Sequence, residues 1–339
     1  MKRAIVFLSL LLIVIAGICG LWFWHDMQTQ LHAPLELNSE IDFIIQPGMS
    51  LKSVGAELEN LGLIKRPYYL LIEARRQGRE GRIKAGEYVI GPGTTPLQLL
   101  DQFVAGKVKQ YAITLIEGWT FAQVMDAVKN DVILKQTLNS IDGNNVMLAL
   151  QEPGLSPEGQ FFPDTYHFPR GTTDIQFLQR AHAKMQEVLA EEWQDRAAGL
   201  PYQTLYAALI LASLIEKETG LSEERADIAG VFVRRLQRDM KLQTDPTVIY
   251  AMGKDFDGNI RRKNLEIDSP YNTYLYAGLP PTPIALPGRE SVHAALHPGD
   301  GNTLYFVAKG DGSHHFSETL AEHNEAVAKY QLNSQKDEE

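Results

Sequence analysis

The sequence predicts an α+β protein with an N-terminal transmembrane helix, a small βα module and a larger mixed domain. Three observations support this fold class. An uncharged apolar run covers residues 4–24. A unit of short strand, glycine turn, hydroxyl residue and helix occurs three times between residues 41 and 128. Beyond residue 157 helical segments alternate with polar or proline-rich loops, and 339 residues suffice for two or three domains.

The apolar run at residues 4–24 is predicted to cross the inner membrane. At about 1.5 Å per residue it covers a hydrocarbon core of about 30 Å. Lys2 and Arg3 place the N-terminus in the cytoplasm by the positive-inside rule, and Trp22 and Trp24 fit an interfacial anchor. The rest of the chain is therefore expected in the periplasm.

The anchor is expected to remain attached. A cleaved signal peptide ends in small residues, and no A-x-A pattern follows Trp24. Cys19 suggests a lipoprotein site, but Ile18 before it is bulky where a small residue is needed.

Composition limits the chemistry. The chain is 44% hydrophobic and has a formal net charge of -10. Such an acidic chain, without a continuous Lys/Arg run, is not expected to bind nucleic acid. Cys19 is the single cysteine, which excludes an intramolecular disulfide and a zinc site built from cysteines.

The first repeated unit is predicted to belong to a small βα module. A strand at 41–45 precedes a turn with Gly48 and the N-cap candidate Ser50, and a helix over 51–61 follows. This arrangement resembles a LysM-type module, which implies binding to the N-acetyl-hexosamine chains of cell walls. A packing module that spaces the larger domain from the membrane is the alternative.

The helix predicted over 205–219 carries the candidate catalytic group. Its apolar face ends at Glu218, which follows Leu211, Leu214 and Ile215 at helical spacing. Glu216 lies about 200° around the helix from Glu218. A carboxyl at the edge of an apolar surface loses hydration, which raises its pKa and suits it to general acid catalysis. A solvated last turn of a core helix is the alternative.

Polar and proline-rich loops are predicted to surround this helix end. The segment 278–288 contains four prolines in eleven residues, so it is stiff and unsuited to a central strand. It fits the wall of a binding groove, with an ordinary surface connection as the alternative. A strand is predicted at 303–308, then a helix over 318–332 with Ser317 as N-cap.

No metal or cofactor is expected. His293 and His297 have the spacing of two ligands on one helix, but the glutamate of an H-E-x-x-H motif is missing. The sequence also lacks the glycine-rich fingerprints of nucleotide-binding loops.

Several motifs in one order carry a resemblance over nearly the whole chain. They are the letters PEG and FPDTY within 157–166, ASLIEKET at 212–219, QTDPT at 243–247, SPYNTY at 269–274, GLPPTPI at 278–284, GSHHFS at 312–317 and EHN at 322–324. Together they resemble the endolytic murein transglycosylases, the YceG-like family. The predicted parts are then an anchor with its cytoplasmic tip (1–25), a linker (26–40), a LysM-like module (41–110), a catalytic domain (111–335) and a frayed tail (336–339).

The resemblance implies an activity and a set of site residues. The second acid of E-K-E-T, here Glu218, would be the catalytic residue. Five further residues are candidates for substrate binding, for orienting the acid or for fixing a loop over the helix end: Asp245, Asn272, Tyr274, Glu158 and Asp164. Peptidoglycan strands would be the substrate, cleaved between N-acetylmuramic acid and N-acetylglucosamine to leave 1,6-anhydro ends, and peptidoglycan synthases are possible partners.

Two other functions remain open at this point. A hydrolytic muramidase needs a second essential carboxylate, for which Glu158, Asp164 and Asp245 are candidates. A membrane-anchored glycan-binding scaffold would bind strands without cleaving them.

Overall fold

The computed structural model describes residues 2–332, which divide into two compact units. The first unit comprises Met1–Tyr111 with Phe168–Gly171, and the second comprises Ala112–His167 with Thr172–Glu339. The helices and strands are mixed, as the predicted α+β class requires. The predicted tail at 336–339 lies outside the described residues.

The first unit contains four helices and two strands among its described residues. In chain order they are α1 (Lys2–His32), β1 (Ile41–Ile45), α2 (Leu51–Asn60), α3 (Pro67–Arg76), β2 (Gly86–Ile90) and α4 (Pro96–Ala105). β1 pairs antiparallel with β2, with Ile41 opposite Ile90 and Ile45 opposite Gly86. The pattern β1–α2–α3–β2 places two helices between paired strands. The likeness to a LysM-type module stays a prediction.

α1 is longer than the predicted anchor. It is long and apolar enough to cross a membrane, and its apolar residues from Ile5 to Leu21 are exposed. The helix does not end at residue 25, where the sequence predicts a linker, but continues to His32. The reason is that Met27 and Leu31 are buried in the core of the first unit, so the last turns of α1 belong to that core.

The second unit is built around one buried helix. Its elements are α5 (Phe121–Asn130), α6 (Gly143–Ala149), α7 (Asp174–Gln194), α8 (Leu205–Glu218), α9 (Ser222–Gln237), α10 (Asp245–Met252), α11 (Arg289–Leu296), β5 (Tyr305–Ala308), β6 (His314–Ser317) and α12 (Leu320–Val327). All residues of α8 from Ala208 to Ile215 are buried. α7, α9, α10 and α11 contact α8, so its position is fixed from several sides.

Two short sheets complete the fold. β3 (Gln110–Thr114) and β4 (Thr165–Pro169) form one, and β5 and β6 form an antiparallel hairpin. The prediction of Ser317 as the N-cap of the last helix is wrong, because Ser317 pairs with Tyr305 at the end of β6. α12 begins instead at Leu320, where Thr319 and Glu322 form a capping box.

Candidate active site

Glu218, at the end of α8, lines a cleft in the second unit. Thr204 caps the start of the helix by accepting a hydrogen bond from the Ala207 backbone N–H, and Glu218 is its last residue. The cleft has a volume of about 530 Å³. Its described lining includes residues from α8, α9, the loop before α10, the β5–β6 hairpin and α12. The apolar face predicted for this helix therefore ends at a cleft that is lined by both polar and apolar residues.

The surroundings of Glu218 favour its protonated form. Burial raises the pKa of this carboxyl to about 7, and the nearby charge of Asp245 acts in the same direction. The hydroxyl of Thr244 donates a hydrogen bond to Glu218 Oε1, which opposes the rise, as does the cationic Arg235. A carboxyl with this pKa exists in both protonation states near neutral pH, which suits a group that must both donate and accept a proton.

Thr244 is itself held by a group of buried hydroxyl residues. Its backbone N–H donates to Thr273 Oγ1 over 3.1 Å, and its carbonyl accepts from Thr247 Oγ1 over 2.7 Å. The two hydroxyls of Thr247 and Thr273 lie 2.9 Å apart. Gln243, the residue before Thr244, adopts a positive φ of 51°, and its N–H donates to the carbonyl of Thr273. The hydrogen bond to Glu218 thus comes from a rigid loop.

Asp245 and Tyr274, two candidates for substrate binding from the family resemblance, line the cleft together with Glu218. The Tyr274 hydroxyl donates to Asp245 Oδ1 over 2.6 Å. Burial raises the pKa of Tyr274, and the charge of Asp245 adds to this effect. Tyr274 therefore stays protonated and fixes one oxygen of Asp245.

Arg235 contributes a buried cation to the cleft. Its Nε donates to the Leu304 carbonyl over 2.6 Å, and its Nη1 donates to the Leu242 carbonyl over 2.8 Å. The guanidinium carbon lies 5.1 Å from the centre of the Tyr305 ring. Burial lowers the pKa of Arg235. The sequence analysis assigned no role to Arg235 and missed its place in the site.

His323 stacks on the ring of Tyr305. The ring centres of Tyr305 and His323 are 5.3 Å apart, and burial lowers the pKa of the imidazole. Its Nδ1 is buried and has no hydrogen-bond partner among the described residues. The signal in the sequence was the E-H-N motif, which carried no assigned role.

Asn272 is absent from the described lining of the cleft, but it supports the loop that carries Tyr274. Its side chain is fully buried. Its Nδ2 donates to the carbonyls of Leu265 and Ile267, over 3.0 and 2.8 Å, and its Oδ1 accepts from the Tyr274 N–H. All of its polar atoms thus serve to fix the loop that carries Tyr274.

The structure places Glu158 away from the described lining of the cleft. Its carboxylate accepts from the Phe121 N–H over 2.8 Å and from the Tyr250 hydroxyl over 3.0 Å. Burial raises the pKa of Glu158 to about 7. Because Phe121 is the first residue of α5, Glu158 satisfies an N–H at the start of that helix.

Asp164 is exposed, and it too is absent from the described lining of the cleft. Its side chain accepts from the Thr165 N–H, and its carbonyl accepts from the Leu115 N–H. These contacts order the local loop.

The first acid of E-K-E-T has a different environment from the second. Glu216 Oε2 accepts from the Gly288 N–H over 2.9 Å and from the Ser291 hydroxyl over 2.7 Å. Lys217 Nζ donates to the Gly118 carbonyl over 3.2 Å. Glu216 therefore ties α8 to the start of α11, whereas Glu218 faces the cleft.

The proline-rich segment packs against α8 and contributes no residue to the described lining of the cleft. The Ile284 N–H donates to the Ser213 hydroxyl over 3.0 Å, and both residues are buried. The buried residues Ile284, Ala285 and Leu286 of this segment belong to the core, and a groove wall formed by the segment stays a prediction.

Glu192, His293 and His297 form a group with the donor types of a metal site. However, both ring nitrogens of His297 face carbonyl oxygens, at 3.2 Å from His293 and 2.7 Å from Asp195. Glu192 also accepts from Arg289. These donors are engaged with the protein, and the group does not fit a divalent ion.

Comparison with known proteins places this site in a family. The sequence model of the YceG-like family matches residues 43–329. The endolytic murein transglycosylase of Bacillus subtilis is 33% identical over 316 residues, covering 88% of this chain and 87% of the relative. The endolytic murein transglycosylase of Streptococcus pneumoniae is 26% identical over 348 residues, and the match covers 92% of this chain but 62% of that longer protein.

A solved structure agrees with the sequence relatives. The crystal structure of a yceG-like protein from Listeria monocytogenes is similar to this chain with a TM-score of 0.55 and 30% identity, covering 85% of this chain and 99% of that one. The family model spans well over half of the chain and includes the whole cleft except its last lining residue. The chain therefore belongs to the YceG-like family.

Proposed function

We propose that this protein is an endolytic peptidoglycan lytic transglycosylase in which Glu218 is the single catalytic acid and base. The relatives from Bacillus and Streptococcus bear the name endolytic murein transglycosylase, which gives the reaction class. The observation that carries the proposal is the position of Glu218 in the cleft, with a pKa raised to about 7 by burial. The substrate is a glycan strand of peptidoglycan, cut within its length.

In the first step protonated Glu218 donates its proton to the glycosidic oxygen between N-acetylmuramic acid and N-acetylglucosamine. The bond from C1 of the muramic sugar to that oxygen breaks, and positive charge develops at C1. The oxygen leaves as the hydroxyl of the N-acetylglucosamine fragment. Glu218 is now a carboxylate.

In the second step the same carboxylate accepts the proton of the C6 hydroxyl of the muramic sugar. The C6 oxygen forms a bond to C1 and closes a 1,6-anhydro ring. Glu218 returns to its protonated state, and no water is consumed. Because the nucleophile already belongs to the substrate, its approach to C1 is favoured by proximity.

The neighbouring residues have distinct parts in this scheme. Thr244 orients the carboxyl of Glu218 through its hydrogen bond. Asp245, held by Tyr274, supplies negative charge in the cleft, which favours the positive charge that develops at C1. Arg235 lies on the same cleft and favours the carboxylate form of Glu218 after the first step.

A hydrolytic muramidase is the second candidate. Asp245 is the other carboxylate in the cleft as far as its lining is described, and it would have to activate water. Its hydrogen bond from Tyr274 occupies one of its oxygens but leaves the other available. Glu158 and Asp164 give this alternative less support, since neither lines the cleft among residues 2–332.

The cellular setting follows from the same proposal. α1 would anchor the protein in the inner membrane with its N-terminus in the cytoplasm, and both units would face the periplasm. Cleavage there would end the elongation of nascent strands, next to the synthases that make them. The exposed apolar surface of α1 supports the anchor.

Cleavage of purified glycan strands by the full-length protein tests the proposal. Mass spectrometry should find fragments one water lighter than hydrolysis products. Glu218→Gln should lower the rate by about 10²-fold or more, since it removes the proton donor. Glu216→Gln is the matched control, because it changes the neighbouring acid that faces away from the cleft, and it should keep most of the activity. An active Glu218→Gln beside an inactive Glu216→Gln would reverse the assignment.

A further inference from the structure

The segment that follows α2 is basic in an otherwise acidic chain. Residues 65–84 contain seven Lys or Arg residues and two Glu, whereas the whole chain has a net charge of -10. The cations are spaced along the segment and therefore do not form a continuous run. α3 lies within it and carries Arg75 and Arg76 in its last turn.

α3 contacts α1 where the apolar run of α1 ends. The rings of Phe23 and Tyr69 lie 5.3 Å apart in an edge-on arrangement. The guanidinium of Arg76 lies 5.7 Å from the centre of the Trp24 ring. Tyr69 and Arg76 are seven residues apart on α3, yet they contact consecutive residues of α1. This is the pattern of a helix that crosses α1 rather than running along it.

A second contact fixes the same crossing. The carboxylate of Asp26 accepts hydrogen bonds from both the Tyr69 hydroxyl and the Arg66 guanidinium. Asp26 lies less than one turn beyond Trp24 on α1. α3 is thus held at the depth where α1 changes from an apolar to a polar helix.

The core of the first unit shows which side of α3 is buried. Leu70 and Ala74 of α3 are buried in the same cluster as Met27 and Leu31, which follow Trp24 on α1. The opposite side of α3 carries Arg76, whose guanidinium lies over the Trp24 ring at the end of the apolar run. This opposite side is therefore next to the end of that run.

This opposite side of α3 is exposed and partly apolar. Tyr68, Ile72 and Arg75 share one face at helical spacing. Tyr68 is 48% exposed and Ile72 is 38% exposed. Tyrosine with an aliphatic neighbour and flanking cations is the composition of a helix that lies in the membrane interface.

We propose that the face of α3 formed by Tyr68, Ile72 and Arg75 rests on the outer surface of the membrane that α1 crosses. Tyr68 and Ile72 enter the boundary between headgroups and acyl chains. Four of the seven cations pair with carboxylates of the protein, namely Arg66, Arg75, Arg76 and Arg79. The exposed side chains of Lys65, Arg82 and Lys84 bind anionic phospholipid headgroups. Each cation near an anionic surface favours the contact about fivefold. The inference rests on the proposed membrane anchor, and it goes beyond the anchor by holding the first unit against the bilayer.

Labelled full-length protein in phospholipid vesicles tests this contact. Cys19→Ser removes the native thiol, and Ile72→Cys then carries an environment-sensitive fluorophore. Pro92→Cys is the matched control, because its exposed turn lies beside Thr94, whose carbonyl accepts from the Leu35 N–H beyond the end of α1. Vesicles of phosphatidylcholine with and without phosphatidylglycerol supply the two surfaces.

In anionic vesicles the fluorescence of the label at position 72 should shift to shorter wavelength. Nitroxide lipids should quench this fluorescence, and quenchers dissolved in water should not reach the label. The label at position 92 should stay accessible to water. Replacing phosphatidylglycerol by phosphatidylcholine should lower the ratio of membrane-bound to unbound α3. The ratio should fall about fivefold for each cation that no longer contacts an anionic headgroup.

Three results would overturn the proposal, and they are distinguishable. Equal water accessibility at positions 72 and 92 would refute the surface contact. The anchor would stay intact if Cys19 of the unsubstituted, unlabelled protein is protected from an impermeant thiol reagent in the same vesicles. An accessible Cys19 would refute the anchor and with it the premise. Shielding of position 72 by added peptidoglycan strands, but not by anionic lipid, would assign the face to glycan instead.

Discussion

Two glutamates that stand two residues apart on α8 have opposite environments. The helical period turns Glu216 toward the start of α11, where a backbone N–H and a hydroxyl satisfy one of its oxygens. It turns Glu218 toward the cleft, where burial raises the carboxyl pKa to about 7. A difference of about 200° in direction thus separates a structural carboxylate from the proposed catalytic acid.

Replacing Glu218 by glutamine should stabilise the protein while removing its activity. The carboxyl pKa is raised from 4.5 to about 7, so the folded state binds more protons between these values and loses stability as the pH rises through them. Near pH 8 the neutral amide should therefore raise the free energy of unfolding by up to about 3 kcal/mol. Denaturant titrations at several pH values measure this, and the gain should vanish near pH 4.

Glu216→Gln is the control for that experiment. It weakens the contact with Arg225, which lies 3.7 Å away, and should bring no such gain. A destabilised Glu218→Gln protein at high pH would show that Glu218 has a structural role.

Thr244 should set the pH range of cleavage. The rate should fall as the pH rises through about 7, because Glu218 then loses the proton that it donates. Thr244→Val removes the hydrogen bond that favours the charged form, so the falling limb should move to higher pH. The maximal rate should drop roughly tenfold as the carboxyl loses its orientation. A pH–rate profile measures both effects.

Thr244→Ser keeps the hydroxyl and should restore the original profile. A valine variant that changes affinity for the strands but leaves the pH profile unmoved would contradict this role.

A site residue could be predicted from the sequence only where neighbouring residues in the chain indicate its role. Glu218 was identified from helical periodicity, a property of neighbouring residues. Asp245 and Tyr274 came from the family resemblance, and the structure places both in the cleft. Thr244 and His323 lie in motifs but were assigned no role there, and Arg235 lies in none of the motifs. The three residues come together only through packing of α8, α9, α12 and the loop before α10.

At the scale of elements, helix termini organise the second unit. α8 ends at the cleft, α10 begins there with Asp245, and the start of α5 is satisfied by Glu158. The motifs of the sequence contain Glu218, Asp245 and Glu158, but they did not indicate that Asp245 begins a helix or that Glu158 satisfies the start of α5. They also did not distinguish a residue that supports a helix from one proposed to act on substrate.

Glu158 and Asp164 provide a test of that distinction. Glu158→Ala should cost about 1–3 kcal/mol of unfolding free energy, because it leaves the Phe121 N–H and the Tyr250 hydroxyl without their buried acceptor. Asp164→Ala, at an exposed position, should change stability by less than about 0.5 kcal/mol. Thermal unfolding and strand-binding assays on both variants measure the effects.

The affinity of folded Glu158→Ala for strands should match that of the unchanged protein. A large loss of affinity without loss of stability would instead place Glu158 at the substrate.

At the scale of the whole molecule, the predicted border between anchor and module is displaced. Hydropathy marks where apolar composition ends, near Trp24, and the sequence interpretation placed a linker after it. The helix continues to His32 because Met27 and Leu31 are spaced to face the core of the first unit. Two apolar residues in a polar stretch were too weak a signal for that extension.

The choice of truncation point should therefore affect stability. A chain beginning at residue 25 keeps Met27 and Leu31, whereas a chain beginning at residue 33 lacks both. The shorter chain should lose roughly 3–6 kcal/mol from the first unit, at about 1.5–3 kcal/mol for each buried side chain. Hydrogen exchange measured separately in α3 and α8 should show faster exchange in α3 only. Equal protection of α3 in both chains would mean that the end of α1 adds nothing to the core.

The most direct test of the account is cleavage in water enriched in heavy oxygen. In the proposed mechanism Glu218 accepts the proton of the C6 hydroxyl while the C6 oxygen closes on C1, so the fragments should carry no heavy oxygen at their new ends. They should also have the mass of anhydro products, and Glu218→Gln should form none. One heavy oxygen at each new N-acetylmuramic acid end would show that water attacks C1, which would contradict the proposed mechanism and make Asp245 the first candidate for the second carboxylate.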